Sequence, residues 1–108
     1  MTPIELIAAE RERQIVDEGY TSAHDDRENK GELSAAAACY ATVAHLTQKH
    51  STVGCDDVRD VLLGDGQWPW EPEFLKPTVD PIRNLVKAGA LIVAEIERLQ
   101  RAAQDGEE

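Results

Sequence analysis

One long run near the end of the chain constrains the fold more than any other feature. After Asp80-Pro81, the residues Ile82, Leu85, Val86, Gly89, Ile92, Val93, Ile96 and Leu99 recur at three- and four-residue intervals for about five helical turns. Asp80 can cap this helix and Pro81 suits its first position, while Gly89 marks a point of close approach on the apolar face. Lys87 and Glu95 interrupt the stretch from Leu85 to Ile96, which falls short of the roughly 18 consecutive apolar residues of a membrane span. The run therefore predicts an amphipathic helix that packs one face against other elements. With 108 residues the chain has room for one core.

Two further helices follow from the same period. Thr2-Pro3-Ile4-Glu5 forms a capping-box start, Ile4, Ile7, Ala8, Arg11 and Ile15 share a face, and Gly19 supplies the stop after Glu18. From Glu32 to about Lys49, Leu33, Ala36, Ala37, Tyr40, Val43, Ala44 and Thr47 share a face of mostly small side chains. A short helix is expected around Val58, Val61 and Leu62, before the turn at Gly64-Asp65-Gly66. Tyr20 to Gly31 has no apolar period and reads as a turn-rich loop. Trp68-Pro69-Trp70-Glu71-Pro72 and Phe74 to Pro77 are too rich in proline for a regular helix. The expected fold is all-α, a compact bundle of three main helices plus a short one, with two irregular loops at one end. Residues 1–101 form the domain and 102–108 a frayed acidic tail.

Charge narrows the function. Eleven Lys and Arg against 21 Asp and Glu give a formal net charge of -10, which opposes general nucleic-acid binding and anionic membranes. Two cysteines, Cys39 and Cys55, make no disulfide framework, and no basic region followed by an apolar run opens the chain, so the cytosol is the expected compartment. Glycine-rich phosphate loops, nucleophile elbows and Cys/His nucleophile patterns are absent from the sequence.

Three constellations could carry chemistry. Arg11 falls on the apolar face of the first helix with Gln14 on an adjoining row; it either pairs with Asp25 or Asp26 and holds the loop, or faces a bound anion. His24-Asp25-Asp26, with Glu28 and Glu32 beyond, offers ligands for a divalent cation, although such residues also serve as turn and cap groups. His45 and His50, five apart, do not share a face as a zinc pair would. Trp68 and Trp70 bracket a proline and can cover a core edge or stack on a flat ligand. Lys76, Arg83 and Lys87, with Asn84 beside them, form a small cationic set: either they converge with the rings on the N-terminus of the last helix, where free amides favour an anion, or they pair with Glu71, Glu73 and Asp80 at the surface. The loop His24 to Asp26 and the loop Trp68 to Trp70 are expected to meet around the start of the last helix.

The ordered set Glu10-Arg11-Glu12-Arg13-Gln14, Glu18-Gly19-Tyr20, His24-Asp25-Asp26, Gly31-Glu32-Leu33, Cys39-Tyr40-Ala41, Trp68-Pro69-Trp70 and Arg83 through Leu99, with its Leu85-Val86-Lys87-Ala88-Gly89-Ala90 core, resembles a family of small accessory proteins of tailed bacteriophages and prophages. The likeness leaves out residues 42–65, and Tyr20 stands where that family has Trp as often as Tyr. It implies an accessory protein acting in the cytoplasm of a bacterial host and brings no catalytic residues with it. By analogy of class and size, the expected function is anti-defence: sequestering a small nucleotide-derived signal without turnover. The expected ligand-binding residues are Arg11, Gln14, Tyr20, His24, Asp25, Asp26, Trp68, Trp70, Lys76, Arg83, Asn84 and Lys87. Trp68 or Trp70 would stack, and Arg11, Arg83 and Lys87 would meet phosphate. No cofactor is expected.

Two alternatives stand beside this. A weaker likeness to all-helical nucleotide pyrophosphohydrolases of the MazG type would make His24, Asp25, Asp26 and Glu32 ligands of magnesium, although the EExxE pattern and an ExxD on the last helix are missing. An acidic adaptor inhibiting a host protein would use the negative surface instead. A homo-oligomer is expected in each case, because the core is small and Ala35 to Ala38 and Ala88-Gly89-Ala90 permit close approach of backbones.

Overall fold

A computed structural model describes residues 1–106 as an all-α fold, 74% helical overall and without a strand among them. The elements are α1 (Pro3–Glu18), α2 (Ser22–Arg27), α3 (Glu32–Lys49), α4 (Cys55–Gly64), a single 3-10 turn at Pro72–Phe74, and α5 (Pro81–Gly106). The helix starts follow from their caps. Thr2 and Glu5 form the capping box of α1, Gly19 ends it in the left-handed conformation at φ 76°, and the Asp80 carboxylate accepts from the Ile82 amide at the start of α5. Helix α5 continues past residue 101 to Gly106, and the last two residues of the expected tail lie outside the described residues.

The segment read as a loop from Tyr20 to Gly31 contains α2. Six residues are too few to show a period, and this turn depends on the Thr21 hydroxyl accepting from the His24 amide and on a tertiary ion pair described below.

The largest interface joins α3 and α5. Ser34 meets Glu95 and Lys87 lies over the Tyr40 ring, so the two run antiparallel. Ala36, Ala37, Ala88 and Ala90 are buried here, so most of the small side chains expected to join subunits close the packing inside one chain. Helix α1 crosses α5 at Gly89, where the Ile7 side chain occupies the space a Cβ would need.

The helical faces depart from their period. Helix α1 buries Glu10, Arg11 and Gln14 and leaves Ile4 and Val16 exposed. On α5 the buried residues include Asn84, Lys87, Ala88, Leu91, Ala94 and Glu95, while Ile82, Leu85, Ile92, Ile96 and Leu99 are 49 to 63% exposed. Most of the apolar stripe expected to face the core faces outward, while Val86 is buried and Gly89 meets Ile7 of α1. Period reports which side chains share a side; here α3 packs on the opposite side and α1 reaches only the Gly89 edge of the stripe.

Candidate functional site

A buried ion pair sets the site's frame. Asp25 is fully enclosed; its Oδ2 accepts from Arg11 Nη2 at 2.8 Å, and its Oδ1 lies 2.9 Å from His24 Nδ1. Arg11 also donates to the Tyr20 carbonyl at 3.0 Å and to Glu97 at 3.3 Å. Its guanidinium is thus spent on protein groups, and of the two roles weighed for it the geometry is that of the pair that holds the loop. The pair pins α2 against α1 and presents the His24 ring, which stacks on Tyr20 at a centroid distance of 4.9 Å.

The Trp segment is held as firmly from the other side. Trp68 and Leu75 are buried, Trp68 Nε1 donates to the Glu71 carbonyl at 2.9 Å, and Arg59 of α4 donates to the carbonyls of Leu75 and Pro72 at 2.9 and 2.8 Å. The Tyr40 hydroxyl accepts from the Lys76 amide at 3.0 Å, and burial pushes its pKa up to about 12. So anchored, Trp70 stands 5.4 Å from the Tyr20 ring, 5.9 Å from His24 and 5.3 Å, edge-on, from Trp68. The two loops meet within one chain, as expected.

Between them lies a cavity of about 500 Å³ lined by Glu18, Tyr20, His24, Pro69, Trp70, Glu71 and Phe74. Four rings form its walls and two carboxylates its rim. Burial, with Glu18 adding to it, raises the Tyr20 pKa, so that hydroxyl stays protonated. The His24 ring nitrogens each face a carboxylate, Asp25 and, at 3.5 Å, Glu28. Burial first, and Glu32 beside it, push the Glu28 carboxyl above its ordinary range.

Cations gather behind Glu18. Lys76 Nζ lies 3.1 Å and Arg13 Nη1 3.4 Å from its Oε1. A second carboxylate, Glu10, is almost wholly buried and takes both Arg13, at 2.8 Å, and Arg83; Gln14 Nε2 adds a bond at 3.2 Å. Burial alone would raise the Glu10 pKa, but the two guanidiniums outweigh it and hold the carboxyl below its ordinary value. Lys87 donates to the Lys76 carbonyl at 2.8 Å, and burial lowers its pKa. A narrow cavity of about 10 Å³ lined by Gln14, Tyr40, Lys87 and Arg13 adjoins the ring pocket, sharing Glu18, Tyr20 and Phe74 with it, and Gln14 Oε1 has no partner among the described residues.

Of the residues singled out from sequence, Tyr20, His24 and Trp70 line the pocket, Trp68 backs it, and Lys76, Gln14 and Lys87 lie behind its Glu18 wall. Arg83 pairs with Glu10 and not with Glu71, Glu73 or Asp80. Asn84 is buried and accepts from the Thr78 amide at 2.8 Å, shaping the entry to α5. The first turn of α5 is capped by Asp80, so the rings converge on the α1–α2 corner and not on a free helix N-terminus. Asp26 faces away, 2.8 Å from Arg101. Among the described residues no three His, Cys, Asp or Glu side chains converge as metal ligands, and His24, Asp25, Asp26 and Glu32 are not gathered on one point. Glu18, Glu71 and Phe74, which also line the pocket, were not among the ligand-binding residues expected from sequence. The available signal was that Phe74 follows Trp70 by four residues in a proline-fixed segment. No helix among the described residues is long and apolar enough to cross a membrane. No family model, curated protein or solved structure matches the chain.

Proposed function

We propose that this chain is a binding module that holds a small nucleotide-derived signal intact, as a phage accessory protein acting against host defence in the bacterial cytoplasm. The observation that carries the reading is the four-ring pocket of Tyr20, His24, Trp70 and Phe74 standing beside the cations grouped on Glu18. A flat heterocycle fits between rings of this kind, and carboxylates on the rim accept from exocyclic amino groups. Lys76 and Arg13 keep part of their surface in solvent and are placed to share their N–H groups between Glu18 and a phosphate oxygen. The reading of capture over turnover draws support from His24, whose two nitrogens each face a carboxylate of the protein while its ring lines the pocket.

The test incubates the protein with cyclic dinucleotides, ADP-ribose-type compounds and nucleoside triphosphates with magnesium, follows tryptophan emission, and releases ligand by heating for chromatography. Expected are a change in emission and recovery of one ligand class unchanged, both lost in Trp70→Ala. Recovery of a cleaved product would replace capture by hydrolysis, and no emission change with any compound would refute the pocket assignment.

A further inference from the structure

The outward stripe of α5 is more regular than an amphipathic helix requires. Ile82, Leu85, Gly89, Ile92, Ile96 and Leu99 follow alternating steps of three and four, the register of a coiled-coil seam sustained over about 26 Å of helix. The five large side chains are each 49% exposed or more. The seam is flanked by an apolar groove at each end: one of about 350 Å³, where Met1, Leu6 and Ile7 stand beside Ile82 and Leu85, and one of about 470 Å³, where Ala37, Ala38 and Ala41 stand beside Ile92, Ile96 and Leu99.

We infer that this face binds a second copy of the chain, with the two α5 helices antiparallel about a two-fold axis. In that register Ile82 faces Leu99 of the other copy, Leu85 faces Ile96, and Ile92 comes against Gly89 and the Ile7 side chain that covers it. The grooves suit the same symmetry. Each copy's Ile82 end meets the alanine-lined groove of the other, and each Leu99 end meets the groove of α1, so one patch serves both partners.

Charge and area support a self-contact. The chain carries a net charge of -10, yet no charged residue lies on the seam, and Glu95 at its border is neutralised by Arg98. Repulsion between copies is thus kept away from the contact. A standard stable interface takes on the order of 800 Å² from each partner, and the seam is widened toward such a size by an apolar groove at each end.

Light scattering on the intact chain, from about 1 to 100 µM, tests this. Expected is twice the 11.9 kDa chain mass, returning to 11.9 kDa in Ile92→Glu and in Ile96→Glu, while Val16→Glu, exposed but off the seam, stays at the double mass. Far-UV circular dichroism confirms that each variant is folded. A mass of 11.9 kDa at every concentration, a mass above twice that value, or a dimer that survives in both seam variants would overturn the inference.

Discussion

The Arg11–Asp25 pair offers the sharpest test of how the site is built. Arg11→Met keeps most of the side-chain stem and its packing but removes the charge. Asp25 Oδ2, fully enclosed, then loses the cation 2.8 Å away and keeps only His24 on its other oxygen. Breaking a buried pair from one side costs about 3 to 5 kcal/mol, and the Tyr20 carbonyl, left without its donor, adds about 1 kcal/mol. In a domain of this size the loss lowers the melting temperature on the order of 20 °C. Replacing both partners by apolar groups removes the uncompensated charge, so Arg11→Met combined with Asp25→Leu should recover about 2 to 3 kcal/mol relative to the sum of the single changes. Urea unfolding followed by circular dichroism, at one fixed protein concentration because self-association would shift the midpoint, measures all four proteins. Tryptophan emission should change in Arg11→Met before global unfolding, because His24 loses its hold on the Trp70 pocket. A cost below about 1 kcal/mol, the level of an exposed ion pair, would refute the claim that Asp25 is compensated chiefly by Arg11.

Two further outcomes follow from the packing of α1. A Cβ at Gly89 would lie 2.8 Å from Ile7 Cδ1 and 3.0 Å from Cγ1, so Gly89→Ala should cost about 1 kcal/mol of stability, the overpacking outweighing the gain in helix propensity. In an Ile7→Ala background the same change should stabilise by about 1 kcal/mol, as urea midpoints would reveal. The Glu10 carboxyl, held below its ordinary value of 4.5, contributes stability that is complete above that value and lost as pH falls through the lowered one. Glu10→Gln should therefore be less stable at pH 7 and lose less on acidification, which urea midpoints between about pH 7 and 3 would check.

Local signals in the chain marked most helix boundaries well, because caps are local chemistry: Thr2 with Glu5, Gly19 after Glu18, and Asp80 before Pro81 act within a few residues of where they stand. Helix α2 escaped notice because its stability comes from Arg11, fourteen residues away from Asp25. The rings of the pocket were legible as a Trp-Pro-Trp loop and a His-bearing loop expected to meet. Their carboxylate rim was not, since Glu18 looks in sequence like any residue ending a helix. Which side of α1 and α5 is covered was equally hidden. An apolar stripe and a charged stripe on one helix state no preference until the partners of Glu10 and Arg11, on α5 and α2, are known.

The contact between α1 and α5 has a consequence for how such a chain diversifies. An apolar helix contact tolerates drift, because one aliphatic side chain replaces another at small cost. Here, beside the packing of Ile7 on Gly89, the contact runs through Glu10 with Arg83, a pair flanked by Arg13 of α1 itself, and through Gln14 with the Lys87 carbonyl. A lone change at any of these strands a charge or a buried amide, whereas a matched change preserves the join. Divergence at this contact therefore proceeds in pairs, Glu10 changing in step with its guanidinium partners, while the outer faces of the same helices stay free to vary one residue at a time.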